Sequence, residues 1–173
     1  MTYKQYTAVR DGIISVLNNW NFKVNTPADE KHLFVMETEI GEDDRLPVML
    51  HIKIDVEHSH LYLTLEIAGP CDDVDISNAL EAIGLINRLP ITGHFFIVYH
   101  NKTIAMKRDL TLACDRLNRK ELIRSIGALF ETAIRYYPLI MEYLKSGESI
   151  DSWRQLHKID GNWLHPGCLA SNS

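Results

Sequence analysis

Few residues in this chain stand at spacings that chemistry needs. His58 and His60 follow Glu57 in a stretch that reads as a turn, and two histidines with a carboxylate can converge on zinc. No remote fourth ligand accompanies them, so solvated turn residues are the plainer reading. His157, His165 and Cys168 could also supply ligands, but their spacing fits no standard zinc pattern. Asp72, Asp73 and Asp75 lack the twelve-residue calcium loop with its closing glutamate. They precede an apolar helical stretch, where negative charge suits a helix N-terminus. Serine, histidine and aspartate are all present, yet GxSxG, GxGxxG and GxxxxGK[ST] are not, so neither a nucleophile elbow nor a phosphate cradle is visible. The expectation is a protein that is not an enzyme and has no metal and no cofactor.

Two further groups carry reactive or charged chemistry. Arg116, Arg119, Lys120 and Arg124 cluster at the start of a long helical pattern. A solvated face is the plain reading. Cations near a helix N-terminus are mildly unfavourable, however, which raises the case for an acidic or phosphate-bearing partner. Cys114 lies just before them and would need exposure and nearby positive charge to be reactive; a small buried filler is the default.

The balance of charge narrows the partners. A net charge of −5 argues against non-specific nucleic-acid binding, which uses a basic surface. Cys71, Cys114 and Cys168 are odd in number, far apart and form no CxxC pair, as expected of a reducing compartment. The first twenty residues lack a continuous apolar core and a small-residue cleavage site, and no apolar run nears the roughly 20 residues of a membrane span. A cytoplasmic protein with no membrane contact is expected.

The elements that would position any site follow from periodicity. Tyr6, Val9, Ile13, Val16 and Leu17 predict a helix over 3–18. Residues 32–40 are β-prone, with either Phe34 and Met36 or Leu33 and Val35 facing inward. Residues 48–56 and 61–67 alternate cleanly and predict an antiparallel hairpin with one wet face. Pro90 closes a helix begun near Asp75. Residues 95–99, FFIVY, are apolar on both faces and predict a central strand; 103–109 return as its partner through an Asn101-Lys102 turn. Asn118 and Glu121 have capping-box spacing ahead of a long stripe from Leu122 to Leu144, with Pro138 a potential kink. The order α-β-β-β-α-β-β-α, with helices packed on an antiparallel sheet, is α+β. One domain over 1–147 is expected. The tail 148–173, with Trp153 and Trp163, is expected to pack on the domain or on a partner.

The helix over 75–89 carries more apolar surface than one sheet can cover. Ile76, Ala79, Leu80, Ala82, Ile83, Leu85, Ile86 and Leu89 sweep roughly 220° of its circumference, about twice what such a helix needs. With Ile76, Leu80 and Ile83 placed against the sheet, Ala82, Leu85 and Leu89 remain as a candidate protein interface. The element order, with the stretches VMLHIKIDVEHSHLYLTLEIAG, ALEAIGLINRLPITGHFFIVY and ELIRSIGALFETAIRYYPLIMEYL, resembles the class I type III secretion chaperone fold and, within it, the YbjN-like bacterial domains. The resemblance spans about 3–145. It implies a non-enzymatic homodimer that holds a protein or peptide client on apolar surface, with the middle helix near the dimer interface. The alternative is a small-ligand or metal-binding regulatory domain.

Overall fold

The computed structural model describes residues 1–42, 45–67, 75–146 and 148–156. The chain opens with α1 (Tyr3–Asn19), capped as its sequence allows: the Thr2 hydroxyl accepts from Gln5 N–H, and the Gln5 side chain accepts from Thr2 N–H at 2.7 Å. Six strands follow in one antiparallel sheet: β1 (Val24–Asn25), β2 (Leu33–Ile40), β3 (Leu46–Asp55), β4 (His60–Ile67), β5 (His94–Val98) and β6 (Thr103–Thr111). Their order across the sheet is β1-β2-β3-β4-β6-β5. Helix α2 (Ile76–Ile86) connects β4 to β5, α3 (Arg119–Ser146) follows β6 after a short 3-10 turn at Ala113–Asp115, and α4 (Ile150–Leu156) comes last.

The hairpin of β3 and β4 forms in the expected register, with Leu50 opposite Leu65 and Ile52 opposite Leu63, all buried. On β2 the ambiguity resolves towards Phe34 and Met36, which are buried. Helices pack on this inner face. Long helix α3 lies over β4 and β6, α1 flanks it, and α2 sits against α3 and β5. The outer face carries Glu37, Lys53, Thr64, Glu66 and Lys107, and no helix among the described residues packs on it; β4 accordingly alternates apolar and polar along its length.

Two expectations need correcting. FFIVY does not make a central strand: β5 lies at the sheet edge, because β6 inserts between it and β4. Its double-sided apolarity reflects α2 on one face and Phe96 half-buried on the other. Helix α2 also stops a turn before Pro90. The Asn87 side chain instead bridges the free edge of β5, donating to Phe95 C=O at 2.9 Å and accepting from Phe95 N–H at 2.8 Å. An amide side chain there does the work of a missing neighbouring strand, which blunts an otherwise open edge. Pro138 does not end α3, which continues to Ser146; the carbonyl its missing N–H leaves unpaired belongs to Ile134, an exposed position.

Candidate interaction surface

Helix α2 begins at Asp75, whose carboxylate accepts from Ser77 N–H at 2.8 Å. The helix turns Ala79, Ala82, Ile83 and Ile86 into the core, at i, i+3, i+4 and i+7. Two alanines on this face allow close approach to α3. The expected inner face was therefore rotated. Ala82 is 0% exposed and cannot contact a second molecule, while Leu80 is 44% exposed and faces outward. Leu85 is half-buried against the core, and Leu89, also half-buried, lies beyond the helix end. Gly84 has no atom within 4 Å of where a Cβ would stand, so the surface next to Leu80 is open. On α3, Ile123 and Ile134 are the large apolar side chains left exposed.

The edge beside α2 adds backbone. In an antiparallel edge strand, alternate residues direct both backbone groups outward. Asn87 satisfies Phe95; the next outward pair, at Ile97, has no strand beside it among the described residues.

Near the C-terminal end of α3 the chain is tied together by aromatic packing. Trp153 of α4 is 1% exposed and lies against Tyr143, ring centroids 5.1 Å apart. The Tyr143 hydroxyl donates to Glu81 of α2 at 3.2 Å. Burial pushes the Tyr143 phenol up, and the Glu81 carboxylate adds to the rise. Trp163, His157, His165 and Cys168 fall outside the described residues, as do Cys71, Asp72 and Asp73.

The histidine turn is a closed electrostatic unit. The Asp55 carboxylate accepts from the backbone N–H of Glu57 and His58, from the His58 ring at 2.9 Å and from the Tyr62 hydroxyl at 3.3 Å. The backbone and ring of His58 hold Asp55 down at about 2, and Asp55 in turn raises His58. His60 is engaged separately, with Nε2 3.1 Å from Thr111 Oγ1. Among the described residues no three histidine, cysteine or carboxylate side chains converge as a metal site would require.

The basic cluster lines a cavity. Lys4 of α1, Arg116 and Arg119 border a hollow of about 420 Å3, with Ala8 and Leu117 in its wall and buried Val9 beneath. Asp115, also in the wall, accepts a hydrogen bond from Ser59 of the β3–β4 turn, and Leu112 N–H donates to Ser59 C=O at 2.8 Å. Cys114 and Asp115 both adopt left-handed backbone, φ 53° and 56°, which reverses the chain there. Cys114 is exposed, not the buried filler expected. Sequence spacing pointed to Arg116 and Arg119; it gave no sign of Lys4, which arrives from the other end of the chain.

A six-stranded antiparallel sheet with three main helices on one face, ordered as here, is the type III secretion chaperone-like fold. A chain of the ExsC–ExsE complex matches with a TM-score of 0.55 at 13% identity, over 78% of this chain and 95% of that one. A chain of the HopA1–SchA chaperone–effector complex matches with a TM-score of 0.51 at 12% identity, over 79% and 98%. Within that fold class, residues 10–142 match the YbjN family, described as "Putative bacterial sensory transduction regulator", and the chain belongs to that family. No curated protein matches the sequence. No helix among the described residues is long and apolar enough to cross a membrane.

Proposed function

We propose that this protein is a non-enzymatic protein-binding module of chaperone or adaptor type, working in the cytoplasm as a homodimer and holding a protein segment on apolar surface. The observation that carries the reading is Leu80, 44% exposed on the outward side of a helix whose inner side is already filled. Isolated exposed leucines are ordinary. This one stands beside the open surface at Gly84, four residues on and on the same face of the helix. The edge of β5 at Ile97, which has no strand beside it among the described residues, offers an extended segment main-chain hydrogen bonds next to that surface. Matching folds taken from complexes of a chaperone with its effector and of ExsC with ExsE support a protein client. Exposed, unpaired Cys114 is compatible with a reducing compartment.

The test is co-purification of the tagged protein from its native host at moderate salt, with multi-angle light scattering on the product. The expected result is a dimer carrying a protein whose retention is lost in Leu80→Asp. A wild-type monomer with no retained protein refutes the reading.

A further inference from the structure

The cavity between the first turn of α1 and the start of α3 has a composition that dimerisation and client binding do not use. Three cations from two stretches of the sequence border it: Lys4 of α1, and Arg116 and Arg119 at the start of α3. None has a carboxylate within 4 Å among the described residues, and the acid in the wall, Asp115, is engaged by Ser59. Arg119 and Lys120 occupy the first turn of a 28-residue helix, beside Glu121, where the backbone already presents positive charge. An anion in the hollow offsets that charge. At about 420 Å3 the hollow is in the size range of small-molecule sites. Its wall is part apolar, from Ala8 and Leu117, so it suits an anion with an organic body more than a bare ion. The loop is also held in place before any ligand arrives, by the Ser59 contacts to Asp115 and Leu112. Gly12 contributes by absence: a Cβ there would stand 2.8 Å from Leu117 Cδ2 and push that wall inward.

We propose that this cavity binds a small phosphate-bearing molecule with an apolar moiety, the phosphate held by Arg116, Arg119 and Lys4 and the organic body by Ala8 and Leu117. Arginine matches phosphate oxygens in pairs, and on a chain of net charge −5 a basic hollow is the place an anion is drawn to. The site is separate from the α2 surface. Tyr143, which bonds Glu81 beside Leu80, lies 24 residues along α3 from Arg119, about 36 Å of helix. Either proposal can therefore fail alone.

The experiment is a titration of phenyl phosphate into the full chain at low ionic strength, followed by amide shifts. Saturable one-to-one binding is expected, centred on residues 4–12 and 115–121, and tighter than for inorganic phosphate. Arg116→Ala with Arg119→Ala should weaken it at least about tenfold. Both side chains are exposed, so the fold should hold; Lys4→Ala, expected to weaken binding about threefold, is the second variant. Lys53→Ala, on the outer sheet face, should leave binding unchanged. Failure to saturate, the same shifts from chloride at matched ionic strength, wild-type affinity in the double variant, or equal affinity for inorganic phosphate overturns the proposal. So does tighter binding of an oligoglutamate peptide, which would make the cations a dock for an acidic protein segment.

Discussion

Replacing Leu80 by aspartate separates the dimer reading from a merely untidy surface. Burying a leucine fully is worth about 1.5–3 kcal/mol, so the 44% still exposed offers about 1 kcal/mol per copy to a partner. A two-fold interface counts the change twice, for about 2 kcal/mol. Two aspartates brought into that interface lose hydration and repel, adding roughly 2–3 kcal/mol. A total near 4–5 kcal/mol weakens a dimer about a thousandfold, from micromolar to millimolar. The isolated chain should lose only about 1 kcal/mol, because the side chain is already half in water. Leu85→Asp is a poorer probe, since Leu85 packs against the core and the substitution would unsettle the fold itself. The assay is sedimentation equilibrium from about 1 to 200 µM beside urea unfolding, a range that brackets a micromolar dissociation constant. A wild type that stays monomeric throughout, or a Leu80→Asp variant that dimerises as the wild type does, refutes the reasoning.

Trp153→Ala removes the anchor of a seven-residue helix too short to persist alone, at a cost of about 3–5 kcal/mol if α4 stays docked. Detachment limits that cost, so hydrogen exchange should show residues 150–156 unprotected while α3 keeps its protection; retained protection at 150–156 contradicts the anchor role. Ser125 is fully buried on α3 with no hydrogen-bond partner for its hydroxyl among the described residues, so Ser125→Ala should raise stability by about 1 kcal/mol in chemical unfolding. A loss of stability would mean the hydroxyl is bonded after all. At the histidine turn, the raised His58 contributes stability that is full below its ordinary 6.5 and lost as pH rises through its folded value. The depressed Asp55 contributes stability present above 3.8 and lost as pH falls through about 2, so the turn is tightest between pH 3.8 and 6.5. NMR titration should show His58 returning to an ordinary value in Asp55→Asn; an unchanged His58 rules out the pairing.

Much of the fold was legible because it rests on local periodicity. Strict alternation in 48–56 and 61–67 determined a hairpin and its inner face, since a period of two leaves one choice once one side is apolar. The stripe from Leu122 to Leu144 determined α3, and Asn118 its start, where its side chain accepts from Glu121 N–H at 3.2 Å. Family membership was legible for the same reason, as a texture of elements in order. What periodicity cannot supply is a neighbour. FFIVY has the composition of a central strand, and only the insertion of β6 between β4 and β5 placed it at the edge. The Asn87 bridge was invisible, because an asparagine after a helix reads as a cap and its second use depends on where β5 passes.

The candidate site divides along the same line. The sequence determined that α2 has more apolar surface than one contact can cover, and that basic residues gather before α3. A helix that is apolar over roughly 220° is compatible with several orientations on a sheet, differing by less than its excess. Packing against both α3 and β5 selected the one that buries Ala79 and Ala82, where small side chains let the helices approach, and left Leu80 outside. Lys4 joins Arg116 and Arg119 for a like reason: residues over a hundred positions apart meet only when α1 and α3 lie side by side. Local patterns state what each element must bury; only tertiary packing decides which neighbour buries it and what is left facing solvent.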